Sequence, residues 1–200
     1  MAKVVDYYFT PSSPWAYLGH DRLLRIAANA GASVQPRPVD YGRIFPVSGG
    51  VPLKQRAAQR QAYRFSELKR WRAHLGVPLT LEPRFFPVDA NPANHLLAAA
   101  LSFGADAALR LAGTLMRACW AEERNIADEA ALVTIATASG LDGSALMAAS
   151  RGESAITAYA QFTQQAIDAQ VFGAPTYVLN GEMFWGQDRL DFVARKLAAA

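Results

Sequence analysis

The sequence predicts an α/β fold in which a strand–helix–strand opening and a strand–strand–helix ending enclose a long, wholly helical block. Three observations carry this. Residues 3–9 (KVVDYYF) are β-branched and aromatic and run into a polar, proline-bearing loop, Thr10-Pro11-Ser12-Ser13-Pro14. From Leu53 to Ala160 the pattern is helical, with Gly104, Gly140 and Gly152 falling between several of the segments. The strand-like Ala174-Pro175-Thr176-Tyr177-Val178-Leu179 is then followed by Asn180-Gly181, a pair that suits a tight hairpin because both residues tolerate positive φ.

The elements follow in order. A first helix is expected over Pro14–Ala30: proline at its first position is pre-set in φ and has no N–H to orphan, Ser13 stands before it, and Gly31 stops it. Residues 33–39 (SVQPRPV) read as a second strand, which Pro36 and Pro38 confine to an edge or cut short, since proline cannot donate to a ladder. A helix over 54–75 carries Ala58, Ala62, Phe65, Leu68 and Leu75 near helical spacing, and Pro78, Pro83 and Pro87 make 79–88 a loop. Further helices are expected at 91–103, 105–123, 128–138, 143–150 and 153–169. Glu182-Met183-Phe184-Trp185 is the return strand of the hairpin, and 188–199 is the last helix with Asp188 as its N-cap. The chain thus divides into a discontinuous α/β domain (1–44 and 165–200) and a helical insertion (45–164).

Composition narrows the function classes. Hydrophobic residues make up 52% and charged residues 18% of 200 residues, enough to bury a core and unlike a disordered chain. The opening MAKVVDYYF lacks the apolar run and cleavage site of a secretion signal, and no apolar stretch is long enough to span a bilayer. The single cysteine, Cys119, excludes an internal disulfide, a Cys-x-x-Cys pair and a cysteine-rich metal site, and its neighbours Leu115, Ala118 and Trp120 suggest a buried thiol. His20, His74 and His95 have no metal-ligand spacing. A cytoplasmic protein without a metal is expected. Net charge is +3, and the excess is concentrated: Lys54, Arg56, Arg60, Arg64, Lys69, Arg70 and Arg72 stand against Glu67 alone. That run reads either as a solvated helix face or as a positive wall beside a site for small carboxylates. No nucleic-acid motif accompanies it.

The residues that suggest chemistry each have two readings. Ser13 lies where helix amides are unsatisfied and the dipole is positive, so it is an ordinary N-cap or a place where a hydroxyl and free amides hold a thiolate. Phe172-Gly173-Ala174-Pro175-Thr176 is a plain turn or, in a βαβ…ββα order, the thioredoxin-like arrangement in which a cis Pro175 exposes the backbone of Ala174 to a peptide-like ligand. Asp188 can cap a helix, meet the amine of a γ-glutamyl group, or do both. Tyr63 either packs or aims its hydroxyl at substrate; Trp71, Trp120 and Trp185 read as core or pocket wall.

In order, Ser13-Pro14-Trp15-Ala16-Tyr17-Leu18, Tyr63 with Glu67-Leu68-Lys69-Arg70-Trp71, Gly76-Val77-Pro78, Val171-Phe172-Gly173-Ala174-Pro175-Thr176 and Phe184-Trp185-Gly186-Gln187-Asp188-Arg189-Leu190 resemble the 2-hydroxychromene-2-carboxylate isomerases over nearly the whole chain. These belong with the kappa-class glutathione transferases and are related to periplasmic disulfide oxidoreductases. The resemblance implies a thioredoxin-like βαβ…ββα domain with a large all-helical insertion, glutathione as cofactor, a homodimer, and an aromatic carboxylate substrate from aromatic hydrocarbon catabolism, with no nucleic-acid or membrane partner. It implies that Ser13 contacts the glutathione sulfur and that Ala174, ahead of cis Pro175, pairs with the cysteinyl unit. Asp188, with Gln187 beside it, would hold the γ-glutamyl end, and Lys54 falls near a polar position lining the site. Where dithiol relatives carry Cys-x-x-Cys this chain reads Ser13-Pro14-Trp15-Ala16, which argues against disulfide exchange by the protein itself. The loop departs from the common Asp-Phe-X-Ser-Pro form, and Pro14 favours Ser13 over Ser12.

The implied reaction interconverts 2-hydroxychromene-2-carboxylate and trans-o-hydroxybenzylidenepyruvate, or a related intermediate, by reversible addition of a thiolate. A free thiol has a pKa of about 8.5, so a hydroxyl and helix amides that favour the charged form raise the reactive fraction. The substrate carboxylate is expected at Lys54, Arg60 or Arg64 and its ring against Trp15, Tyr63 or Trp185. Two other readings stay open: a kappa-like transferase that conjugates glutathione to electrophiles, and a non-catalytic glutathione- or peptide-binding module.

Overall fold

A computed structural model describes residues 3–199. Strand β1 (Val4–Phe9) leads through helix α1 (Pro14–Asn29) to β2 (Ser33–Pro38), and the chain returns at its far end with β3 (Thr176–Leu179), β4 (Glu182–Trp185) and a last helix. The sheet order is β2-β1-β3-β4. β2 runs parallel to β1, from Val4↔Ser33 to Phe9↔Pro38, whereas β3 is antiparallel to β1 and to β4. The proline-bearing strand lies at the edge, where its missing donors cost no pairing. At the hairpin Asn180 and Gly181 both take positive φ, 52° and 78°.

Between β2 and β3 lie α2 (Tyr41–Ser48), α3 (Ala58–Leu75), α4 (Asn91–Ala100), α5 (Ala105–Trp120), α6 (Glu129–Ala138), α7 (Gly143–Ser150) and α8 (Glu153–Asp168). Asp128 and Asp142 cap α6 and α7 by accepting from Ala131 and Ala145 N–H at 2.8 and 3.0 Å. One hydrophobic cluster joins sheet and helices: Val5, Tyr7 and Phe9 of β1, Leu18 and Leu23 of α1, and Leu111, Leu115 and Trp120 of α5 are all buried in it. Helix α1 sits very close to β3. A Cβ at Gly19 would lie 2.7 Å from Gln187 Cβ and 2.9 Å from Tyr177 Oη. Cys119 is buried, and burial pushes its thiol up to about 12, so it is neutral near pH 7.

Several boundaries differ from expectation. Helix α2 has no sequence-based counterpart, because Pro46 lies inside its short span. Its ends do carry signals: Asp40 accepts from Gly42 N–H at 2.7 Å, and Gly49 closes the helix with φ 75°. The helix expected from 54 begins at Ala58, after a 3-10 turn over Leu53–Gln55. Helices α4 and α5 end at Ala100 and Trp120, short of the expected 103 and 123. Asp188 is not an N-cap. Gln187–Arg189 form a 3-10 turn that runs straight into α9 (Leu190–Ala199), so the Asp188 carboxylate has no helix end to cap.

Candidate active site

The site forms where the head of α1 meets the start of β3. Ser13 caps α1: its Oγ accepts from Ala16 N–H at 3.2 Å and donates to the Ala174 carbonyl at 3.4 Å, the long end of a hydrogen bond. Ser12 Oγ instead pairs with Thr10 Oγ1 inside the loop, so of the two serines only Ser13 stands at the helix head. The Ala174–Pro175 peptide is cis; Pro175 is buried and Ala174 is partly exposed. Its flanks are pinned. The Gly173 carbonyl accepts from Tyr41 Oη at 2.8 Å and Thr176 Oγ1 at 2.7 Å, and the Pro175 carbonyl accepts from Gly186 N–H at 2.9 Å. Among the described residues the Ala174 N–H makes no hydrogen bond. Trp185 lies against Gly173, where a Cβ would overlap its indole nitrogen, and tilts onto Phe172 at 4.8 Å.

Two cavities adjoin this junction. One, of about 470 Å³, touches Ser13 and is walled by Trp15, Tyr41, Phe45, Phe86, Phe172 and Trp185. The other, of about 540 Å³, runs between the 186–189 turn and α3 and is reached by Asp188, Tyr63 and Trp71. They meet on Trp15, Arg56, Arg60, Arg64, Ala174 and Trp185. A larger cavity, about 790 Å³, lies elsewhere, between the middle of α1, the end of α3 and α5. It contains none of the expected site residues, so volume alone does not locate the chemistry.

Among the described residues, the three cations that line both cavities, Arg56, Arg60 and Arg64, form no ion pair. Burial and the neighbouring Arg60 lower the Arg56 pKa; burial and Arg56 push Arg64 down to about 10, which leaves it protonated near pH 7. Glu67, the acid of that stretch, is held low chiefly by the hydrogen bond it accepts from Arg70, and so is already engaged.

Most of the expected site residues converge. Ser13, Trp15, Arg60, Arg64, Ala174 and Trp185 line the first cavity, and Tyr63, Gln187 and Asp188 the second. Gln187 is buried, and its Oε1 accepts from Arg22 Nη1 at 2.8 Å, so its side chain serves the packing of α1 more than the cavity. Lys54 is not brought in. It occupies the exposed side of the 3-10 turn and lines neither cavity, while Leu53 and Arg56 face inward. Tyr41, Phe45 and Phe86 line the first cavity without a site signal in the sequence, and Arg56 and Phe172 line it from within the basic run and the Gly173-Ala174-Pro175 motif. Arg56 was visible within the basic run; Phe86 sits in a proline-rich loop and carries no local signal. Among the described residues no group of three or more His, Cys, Asp or Glu is placed to hold a metal. No described helix is long and apolar enough to cross a membrane.

Similarity to known proteins bears on the fold and the family. The DSBA-like thioredoxin domain family matches residues 4–198. A 2-hydroxychromene-2-carboxylate isomerase of Sphingobium xenophagum is 30% identical over 96% of this chain and 97% of its own length. One of Pseudomonas putida is 29% identical over 94% and 90%. A solved structure of a 2-hydroxychromene-2-carboxylate isomerase aligns with TM-score 0.82 at 26% identity, covering 98% of this chain and 95% of that one. With a serine at the helix head, a cis proline opposite and full-length similarity of sequence and fold, the chain belongs to the DSBA-like thioredoxin family and, within it, to the 2-hydroxychromene-2-carboxylate isomerase family.

Proposed function

We propose that this protein is a glutathione-dependent isomerase acting on 2-hydroxychromene-2-carboxylate or a related bicyclic aromatic acid. The observation that carries the reading is the pairing of Ser13 with Ala174: a hydroxyl at a helix head and a backbone edge whose N–H has no partner among the described residues, both beside one aromatic cavity. The donor set fits glutathione. Ala174 offers a backbone edge to its cysteinyl unit, Asp188 a carboxylate to its γ-glutamyl amine, and Arg56 or Arg60 a cation to its glycyl carboxylate. When bound, glutathione supplies a nucleophilic thiol, the group this chain lacks at the helix head.

The remaining work falls to the chain's own residues. Ser13 Oγ is held by Ala16 N–H, and its proton needs to turn only from the distant Ala174 carbonyl to meet an anion in the cavity. The positive end of α1 favours negative charge at the same point. A shift of two units in a thiol's pKa from such contacts corresponds to about 2.7 kcal/mol. Trp15, Phe86 and Trp185 provide apolar faces that keep water from a flat ring while leaving it free to rotate about a bond.

The test is product analysis. Incubation with 2-hydroxychromene-2-carboxylate and glutathione should give trans-o-hydroxybenzylidenepyruvate with glutathione recovered unchanged, and Ser13→Ala should lower kcat/KM by about 100-fold, the scale of losing one preorganised donor. A stable glutathione adduct would make the protein a transferase instead. Binding without turnover of either substrate type would leave a binding module.

A further inference from the structure

Arg64 stands apart from the other cations of α3. It is half-buried where the two cavities meet, with its guanidinium over the rings of Phe86, Phe65 and Trp120 at 5.4, 5.7 and 5.8 Å from their centroids. Ring faces attract a guanidinium, but they do not satisfy five N–H donors. Among the described residues Arg64 makes no hydrogen bond and no ion pair. The acid one turn on, Glu67, is bonded to Arg70. Arg56 and Arg60 line the same cavities and add repulsion rather than relief.

A cation withdrawn from water without an anion is costly, so such an arrangement persists where a ligand completes it. Two features define that ligand. The planar fork of arginine matches a carboxylate bidentately. The cavity between Arg64 and Ser13 is walled by aromatic rings and takes a flat apolar body. We infer that Arg64 is the receptor for the substrate carboxylate, so that the protein selects flat aromatic acids with the acid end against α3 and the ring reaching towards Ser13. Arg60 and Arg56 then act as outer cations that draw the acid in. The assignment rests on the proposed isomerase reading for which end of the ligand reacts, but anion recognition by Arg64 does not require glutathione.

The experiment uses an unreactive probe without glutathione. Chromone-2-carboxylate and its uncharged carboxamide are titrated into the wild-type protein and into Arg64→Met, which keeps an unbranched apolar stem at the position. The wild type should prefer the acid at least tenfold, and Arg64→Met should abolish that preference while leaving amide affinity within about threefold. Arg64→Lys keeps the charge without the fork and should fall between the two; it also serves as the test should the methionine variant fail to fold. Equal affinity for acid and amide in the wild type overturns the assignment. So does an undiminished acid preference in Arg64→Met, or an equal loss of both ligands in a folded variant. Titration of glutathione into the same proteins separates the two ideas. Acid selectivity without glutathione binding sinks the proposed function alone, and glutathione binding without acid selectivity sinks Arg64 alone.

Discussion

Helix α1 borders basic cavities in two places, and these differ in how their charges are satisfied. The larger one, about 790 Å³, is lined by Arg22, Arg25, Arg110 and Arg117. There Arg117 is bonded to Glu122 at 2.8 Å, Arg22 to Gln187 at 2.8 Å and more distantly to Asp191, and Arg25 and Arg110 stand in solvent. Its floor is His20, a buried ring whose Nε2 meets the Leu109 carbonyl at 3.1 Å. Gly113 admits that ring: a Cβ there would come within 3.1 Å of it. This cavity is a packing seam between α1 and α5. Among the described residues, the smaller pair beside Ser13 holds a desolvated cation without an anion, a backbone N–H without an acceptor and a hydroxyl with a long, weak bond. The larger cavity also holds an unmet atom, His20 Nδ1, but a neutral one; an unpaired cation and a free backbone N–H beside apolar walls identify a ligand site better than volume or net charge does.

That contrast can be broken at either cavity. The largest effect is expected on catalysis: Ser13→Ala should cost about 100-fold in kcat/KM. Arg110→Ala, in the larger cavity, should change it by less than about twofold, since solvated cations contribute little. Comparable losses from both variants would erase the distinction.

On stability, Gly19→Ala should destabilise the fold by about 1–3 kcal/mol, because its Cβ overpacks against Gln187 and Tyr177. Thermal unfolding should then shift by a few degrees, at about 2–4 °C per kcal/mol for a chain of this size. An unchanged melting temperature would mean that α1 can lift away from β3.

A smaller effect is expected from pH. Burial lowers the His20 pKa below the ordinary histidine value, and its Nδ1 has no partner to receive a proton. The unfolded chain therefore binds the proton first as pH falls. Stability should be complete above the ordinary value of about 6.5 and decline as pH drops from there towards the lowered value. Denaturation between pH 8 and pH 5 should show that decline in the wild type and a reduced one in His20→Asn; identical slopes would contradict it. Smallest of all, Cys119→Ala should leave glutathione binding unchanged, since the buried neutral thiol faces the core and lines neither cavity. A change would give the cysteine a part in the site.

The elements legible in the sequence were those with local chemistry: the Pro14 helix start, the proline-bearing edge strand and the Asn180-Gly181 hairpin. Each is decided by φ preference or a missing donor within a few residues. Helix α2 escaped because Pro46 outweighed the Asp40 and Gly49 signals at its ends. At the candidate site, Ser13, Ala174 and Asp188 are candidates from the sequence because the resemblance to the isomerases keeps motif order, and the fold sets all three beside the paired cavities. Asp188 reads as a cap in the sequence because a 3-10 turn and a helix start share the same residue preferences. Lys54 and Arg56 could not be told apart from the sequence, since a 3-10 turn of only three residues decides which of them faces inward. Phe86 and Phe45 reach the cavity through tertiary packing, which no local pattern encodes.

The measurement that bears most directly on the central claim is calorimetric titration of glutathione into the wild type and Ser13→Ala, repeated in buffers of different ionisation enthalpy. The account predicts saturable binding by the wild type with release of a proton, and weaker binding or loss of that proton release in Ser13→Ala. Absence of binding by the wild type at millimolar glutathione, or identical affinity and proton release in the two proteins, would contradict it.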